Sequence, residues 1–241
     1  MPIPNSLFSG WSCWALLMLR MDLHVHTDYS DSKNSVQEVL REATAAGLDG
    51  LAITDHKTIQ GALAASSLAG QNLLVIVGQE IKTTRGEILG YGLRDPVPDK
   101  LDLREAVSKI HSQGGVAAVP HPTLPVLGIR SLSELTRAGV DAIEVVSALT
   151  PFPRRYMEKN RRLSSELGLP VIAGSDSHYS GTVGQTYTLL EVEERSQQAV
   201  LRSIENGRTS EVFHPSSRIQ KLRAALGLPA ALVRLALARD T

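Results

Sequence analysis

An α/β barrel of parallel strands is the fold this sequence predicts, on three observations. Apolar runs of strand length alternate with helix-period segments about seven times, the rhythm of repeated βα units. The length of 241 residues is ordinary for such a barrel, which takes roughly 250. Most tellingly, His26, His56, Glu80, His121 and Asp176 each fall at or just after the C-terminal end of a predicted strand. Five strands bringing donors to one rim describe a barrel mouth. An open sheet would gather them at one switch point, from two or three strands.

The bulk composition is that of a globular chain, 42% hydrophobic and 21% charged. Lys+Arg and Asp+Glu both number 25, so no overall basic field exists to capture long nucleic acid. The single Cys13 excludes an intramolecular disulfide and a cysteine zinc cage, and fits a cytoplasmic protein.

Residues 1–17 read as an N-terminal extension. Leu7 to Leu19 is nearly apolar, with Trp11 and Trp14, but it is shorter than the roughly 20 residues of a membrane-spanning helix. No Lys or Arg precedes it, as a secretory signal requires. Met18 or Met21 makes a sensible first residue for the folded part. The first strand is predicted over Leu19 to His26. Ser35-Val-Gln-Glu38 is a capping box, opening a helix through Ala46 with Val36, Val39, Leu40 and Ala43 on one face and Gly47 at its end. Leu48 to Thr54 is the second strand, a near-continuous apolar run of the kind covered on both faces. A short Ala-rich helix follows over 59–69, then a third strand over Leu73 to Val77. Ile81 to Leu93 reads as a hairpin turning at Arg85-Gly86.

A helix is predicted from about 102 to 113, and a strand over Val116 to Val119. Ser131-Leu-Ser-Glu134 is a second capping box, for a helix ending at Gly139. Val140 to Val146 is a strand, and Pro153 to Leu167 a polar helix ended by Gly168 and Pro170. Strands over Val171 to Gly174 and Thr186 to Val192 and a helix over 196–206 complete a barrel domain of 18–210. Residues 211–241 read as a C-terminal helical tail packed outside the barrel, made basic by Arg218, Lys221, Arg223, Arg234 and Arg239. No membrane partner is expected.

The chemistry lies in short clusters. Alternate side chains of a strand share a face, so His24 and His26 point the same way, as do Asp176 and His178. Alone, a His-x-His is a weak signal. Here five of the seven histidines sit in such clusters with carboxylates nearby, and burying that many ionisable groups without a metal would be costly. Imidazole and carboxylate ligate Zn, Mn or Fe, without selecting among them.

Six motifs occur in order: His24-x-His26, the following Asp31, Thr54-Asp55-His56, Gly78-Gln79-Glu80, His121-Pro122 and Asp176-x-His178. Together they resemble the PHP family, the polymerase and histidinol phosphatase domain, over about Leu19 to Arg208. The resemblance implies a single-domain, distorted (β/α)7 TIM-like barrel holding two or three divalent metal ions. His24, His26, Glu80 and Asp176 would hold one. Glu80 would bridge to a second, also held by His121, and Asp31, His56 and His178 would surround a third. One position departs from the pattern. Several relatives carry a further ligand in a His-x-Leu-Gly stretch, where this chain has Glu87-Ile-Leu-Gly90. Glu87 is either a ligand there or a surface residue of the hairpin. Only 40 residues lie between Glu80 and His121, so the large insertion of some relatives is absent. A substrate lid would then be small or come from elsewhere, such as 122–130 or 147–155.

The activity so implied is a metal-dependent phosphoesterase. A hydroxide bridging two ions would attack a small phosphorylated substrate: a nucleotide, a short oligonucleotide or a compound like histidinol phosphate. Asp176, His178 and Glu80 are the candidate catalytic residues, and Lys57, Arg85, Arg154 and Arg155 the candidate phosphate-binding cations. Asp55 either orients a ligand imidazole or caps the turn after the second strand. His111 reads as structural and His214 as surface or packing. Two alternatives are weaker. A hydrolase of the amidohydrolase type usually adds a bridging Lys at a strand end, which is missing here. A metal-free PHP-like scaffold would have lost ligands that this chain keeps.

Overall fold

A computed structural model describes residues 16–124, 128, 129, 131–147 and 153–214. Its strands are β1 (Leu17–Val25), β2 (Gly50–Ile53), β3 (Leu74–Thr83), β4 (Gly86–Tyr91), β5 (Val116–Val119), β6 (Ala142–Ser147), β7 (Val171–Gly174), β8 (Thr186–Val192) and β9 (Thr209–Phe213). The helices are α1 (Val36–Ala45), α2 (Gln60–Leu68), α3 (Leu103–His111), α4 (Leu132–Ala138), α5 (Pro153–Leu167) and α6 (Gln197–Glu205). The strands form one sheet in the order β7-β6-β5-β4-β3-β2-β1-β8-β9. It curls until β7 meets β1 again. The Asp176 amide donates to the His24 carbonyl at 2.7 Å and the His26 amide to the Ser177 carbonyl at 3.1 Å. Gly174 permits this closure, because a Cβ there would lie 2.3 Å from that of His24.

The barrel is distorted at two places. β4 runs antiparallel between β3 and β5, and β8 and β9 add an antiparallel pair beside the N-terminal half of β1. Inside, Leu19, Met21 and Leu23 pack with Ala52, Ile76, Leu89, Ala118, Ala142, Ile172 and Leu190, so nearly every strand contributes to one apolar plug. Helix α6 joins this plug through Ala199, Val200, Leu201 and Ile204. Outside, α1 and α2 cover one wall, and α3, α4 and α5 the other. The pairing register of β1 shifts between Asp22 and Val25. This bulge resets its alternation where apolar lining gives way to histidines.

Three expectations need correction. The third strand and the start of the hairpin are one continuous strand, because β3 exchanges partners without a break. It pairs in parallel with β2 as far as Ile53↔Val77, then antiparallel with β4 from Gly78↔Tyr91. Gly78 fits the crowded exchange point, where a Cβ would meet the Gly90 carbonyl and Thr54 Cγ2 at 3.0 Å. The capping box at Ser131 does not form. Ser131 makes no capping bond to a helix amide, its hydroxyl meeting that of Ser133 at 3.2 Å, and Glu134 turns to Arg85 instead. Finally, β9 carries regular structure to Phe213, past the expected boundary at 210. The expected N-terminal extension is almost entirely outside the described residues, as is the tail beyond residue 214. No helix among the described residues is long and apolar enough to cross a membrane.

At Ser35, by contrast, both bonds of the capping box are present. Ser35→Ala should therefore destabilise the fold by about 1 kcal/mol. Ser131→Ala should change it by no more than about 0.5 kcal/mol. Urea unfolding of the two variants checks the contrast, and equal losses would contradict it.

Candidate metal centre at the barrel mouth

Every metal-ligating residue predicted from the sequence reaches one mouth. β1 supplies His24, its C-terminal end is followed directly by His26, and the loop after it supplies Asp31. His56 follows β2, and pairs as an isolated bridge with Glu80 on β3. His121 follows β5, and Asp176 and His178 follow β7. His121 (φ 32°) and Asp176 (φ 54°) both adopt left-handed backbone conformations, an unfavourable choice for side chains of this kind unless the surroundings enforce it.

Their donor atoms converge on a few points. His24 Nε2 and His26 Nε2 lie 3.2 Å apart. Glu80 Oε2 is 3.3 and 3.2 Å from these two nitrogens, and Asp176 Oδ1 is 3.5 Å from each. Ligands about 2.1 Å from a tetrahedral ion lie about 3.4 Å from one another, so this quartet has the spacing of a coordination shell. The other oxygen of Glu80 lies 3.3 Å from His121 Nε2. Around the outer edge, Asp31 stands 3.2 Å from His178 Nε2 and 3.7 Å from His56 Nε2. The hydrogen bonds choose the tautomers that ligation needs. His24 Nδ1 faces Glu144 Oε1 at 3.0 Å, His56 Nδ1 the Glu80 carbonyl at 3.3 Å and His178 Nδ1 the Asp176 carbonyl at 3.0 Å. When Nδ1 donates, Nε2 keeps its lone pair for an ion. Glu80 Oε1, His26 Nδ1 and His121 Nδ1 are buried without a hydrogen-bond partner. The donor set thus fits divalent ions.

Electrostatics agree. Burial opposes a charge on His24, yet Asp176, Glu80 and Glu144 outweigh it and raise its pKa well above the usual imidazole range. His26 and His121 are likewise buried and nevertheless raised to about 9, by Glu80 with Asp176. Burial works against ionisation of Glu80 too, but the surrounding imidazoles hold it well below the usual carboxylate range. For a proton or a metal ion alike, the mouth is a strongly favourable place for positive charge.

Two residues that build the site were not singled out from the sequence. Glu144 on β6, fully buried, accepts from His24 through one oxygen and from the His121 amide, 3.0 Å away, through the other. It therefore fixes two of the candidate ligands at once. Asp22, also fully buried, accepts from the amides of Ser175 and Gly184, each at 2.8 Å, and so ties β1 to the loop carrying Asp176. Burial raises its pKa to about 6 against the pull of those donors. A signal for both was available: each is a lone carboxylate inside a strand that buries its neighbours, a placement that needs a partner. Asp55 takes neither of its expected roles. It accepts from the Thr27 amide at 2.7 Å, the Thr27 hydroxyl at 2.6 Å and the Ser30 hydroxyl at 2.7 Å, bracing the loop that presents Asp31.

The expected phosphate-binding cations do not converge in this way. Lys57, Arg154 and Arg155 are exposed, and Arg85 pairs with Glu134 on α4. Glu87 is buried rather than a surface residue of the hairpin; burial and the nearby Glu80 raise its pKa to about 8. His111 bonds Asp141 at 2.8 Å and His214 packs against the Tyr187 ring, as structural residues do. The two expected lid segments lie partly outside the described residues.

Removing the support from His24 and His121 should loosen the centre without unfolding the barrel. Glu144→Gln is expected to weaken metal binding by about 10- to 100-fold while the thermal transition stays cooperative. Calorimetric titration with Mn(II) measures this, and unchanged affinity would remove Glu144 from the site.

A PHP-associated family model matches residues 154–209. An uncharacterized protein of Methanocaldococcus jannaschii, MJ1587, is 36% identical over 145 residues, spanning 54% of this chain and 82% of the relative. The phosphoribosyl 1,2-cyclic phosphate 1,2-diphosphodiesterase of Eggerthella lenta is 36% identical over 84 residues, 32% of each chain. Among solved structures, a two-domain protein from Bacteroides vulgatus containing a predicted PHP-like metal-dependent phosphoesterase superposes with a TM-score of 0.72 at 23% identity, covering 87% of this chain and 69% of that one. The lesion-specific endonuclease EndoQ of Pyrococcus furiosus superposes with a TM-score of 0.59 at 13% identity, covering 81% and 58%. At these identities the two structures speak to the fold. The motifs read along the sequence are the ones the barrel gathers at its mouth, and with a relative matched over most of its length the chain belongs to the PHP family.

Proposed function

We propose that this chain is a metal-dependent phosphoesterase acting on a small phosphorylated substrate. One observation carries the reading: His24, His26, Glu80 and Asp176 each offer a ligand atom within 4.8 Å of the others, and Glu80 turns its second oxygen toward His121. In this reading that quartet holds one ion, Glu80 and His121 share a second, and Asp31, His56 and His178 border a third. Divalent ions held so close together acidify bound water and neutralise phosphoryl oxygens. Mn, Zn and Fe all suit the mixed imidazole and carboxylate donors.

The residues divide the remaining work. Glu144 and Asp22 keep His24 and Asp176 in place. Glu80 and Asp176 supply negative charge on the buried side, so a phosphate arrives from the solvent side. His178 and Asp31 lie on that side, with side chains 19% and 53% exposed, where the third ion they border would neutralise a departing oxygen. Lys57, Arg154 and Arg155, all solvated, are left to meet the substrate. The equal numbers of basic and acidic residues favour a small substrate over a long polymer, and the lone Cys13 fits the cytoplasm.

Phosphate or nitrophenol release should follow addition of Mn(II) to chelator-treated protein. The panel would hold nucleotides, 3′,5′-bisphosphates, cyclic phosphates, histidinol phosphate, short oligonucleotides and lesion-bearing duplex DNA. Asp176→Ala and His26→Ala should each lower turnover by at least about 100-fold, within the range that loss of a core catalytic group costs, and lose bound metal together with it. Cleavage of duplex DNA alone would overturn the small substrate. Full metal occupancy in both variants would sink the ligand assignment.

A further inference from the structure

Asn160 stands in the middle of α5, on the buried face it shares with Leu163 and Ser164, and only 2% of it is exposed. A buried amide side chain is costly unless its hydrogen-bonding groups are met. Its Nδ2 donates to the Val145 carbonyl at 3.2 Å and to the Glu144 carbonyl at 3.5 Å. Its Oδ1 accepts from the Thr123 hydroxyl at 2.6 Å. The two carbonyls belong to a bulge. β6 pairs with β7 at Glu144↔Ile172 and next at Val146↔Ala173, so Val145 is an extra residue on that strand. Without it, alternation would turn Val146 to the face of Glu144. Instead Val146 packs with the outer apolar cluster, while Glu144 points inward to His24 and the His121 amide.

Thr123 lies two residues after His121, whose backbone is left-handed. One side chain on α5 thus grips both the bulge that aims Glu144 and the segment that carries His121. We infer that Asn160 is a positioning residue of the mouth, clamping the His121 segment to the β6 bulge so that His121 and Glu144 keep one spacing. Glu144 also holds His24, so the clamp bears on the first two ion positions, acting through Thr123 and the β6 backbone. The inference rests on the reading of the mouth as a divalent-metal centre, and adds a support for it from a helix outside the barrel. A neutral amide suits the task. It donates to carbonyls and accepts from a hydroxyl at once, which neither an ionised carboxylate nor an ammonium can do.

The test compares the whole wild-type chain with Thr123→Val, Thr123→Ser, Asn160→Ala and the double variant joining Thr123→Val to Asn160→Ala, each stripped with chelator. The readouts are calorimetric titration with Mn(II), and hydrogen exchange of the His121 amide in the metal-free protein. Thr123→Val keeps the shape of the side chain and removes its hydroxyl. It is expected to weaken Mn(II) binding about tenfold and to speed exchange of the His121 amide. Thr123→Ser keeps the hydroxyl, and both readouts should stay within about twofold of wild type, the range of a site left undisturbed. Asn160→Ala should weaken binding at least as much as Thr123→Val. Combining the two should cost no more than about twofold beyond Asn160→Ala, because both break one clamp. Wild-type affinity and exchange in Thr123→Val would overturn the inference, as would equal losses in the Val and Ser variants or additive losses in the double variant. If Asn160→Ala does not fold, the Val and Ser pair decides alone. A wild type that binds no ion would instead bring down the metal reading, and exchange of the His121 amide would then decide the clamp by itself.

Discussion

Glu80 sets the constraint that the rest of the molecule obeys. Its carboxylate is almost fully buried, with one oxygen 3.2–3.5 Å from His24, His26 and His56 and the other facing His121. A buried carboxylate among that many imidazoles is tolerable only if positive charge resides there and each ring presents the correct nitrogen. Proton occupancy satisfies the first condition and a divalent ion satisfies it better. For His24 and His56 the second is met by an acceptor behind the ring, the deeply placed Glu144 carboxylate and the Glu80 carbonyl. Much of the upper half of the barrel can be read as the apparatus that keeps these groups from separating.

That apparatus depends on the lower half. The apolar plug formed by the strands and α6 makes the floor rigid, and Tyr91, buried at its top, donates to the Leu23 carbonyl at 2.9 Å. A close-packed floor lets small backbone departures above it persist. The left-handed conformations of His121 and Asp176 are held by specific ties: the Glu144 carboxylate on the His121 amide, the His24 carbonyl on the Asp176 amide and Asp22 on the next residue, Ser175. Backbone strain at His121 and Asp176 is thus balanced by packing and hydrogen bonds elsewhere. Loosening the mouth without disturbing the floor is possible for the same reason.

What was legible in the sequence follows the range of the interactions. The box at Ser35 is local, needing only Glu38 three residues on, and it formed as read. An identical pattern at Ser131 failed because Glu134 had a distant competitor in Arg85. The apolar runs located β5, β7 and β8 at their observed limits, since their burial recurs along the segment, and Gly168 with Pro170 marked the end of the polar α5. β3 was cut short because a change of partner at Gly78 leaves no mark in hydrophobic pattern. The candidate ligands were visible because their types and their strand-end positions coincide. Glu144 and Asp22 escaped notice because a single acidic residue in a strand announces its need for a partner but not which partner.

The same distinction separates the chemistry of the mouth from its selectivity. Residues such as His24, His26 and Glu80 are buried, so each is constrained from several directions and a change to one propagates to the others. Lys57, Arg154 and Arg155 are exposed, tied to none of the ligands and free to be exchanged at little cost to the fold. Reaction type is therefore written in the residues that cannot move independently. Substrate choice belongs to the rim, where charge and loop length can vary while the centre below stays as it is. Glu87 stands at the boundary between the two: buried beside His121 on one side, it faces a half-exposed Lys82 on the other.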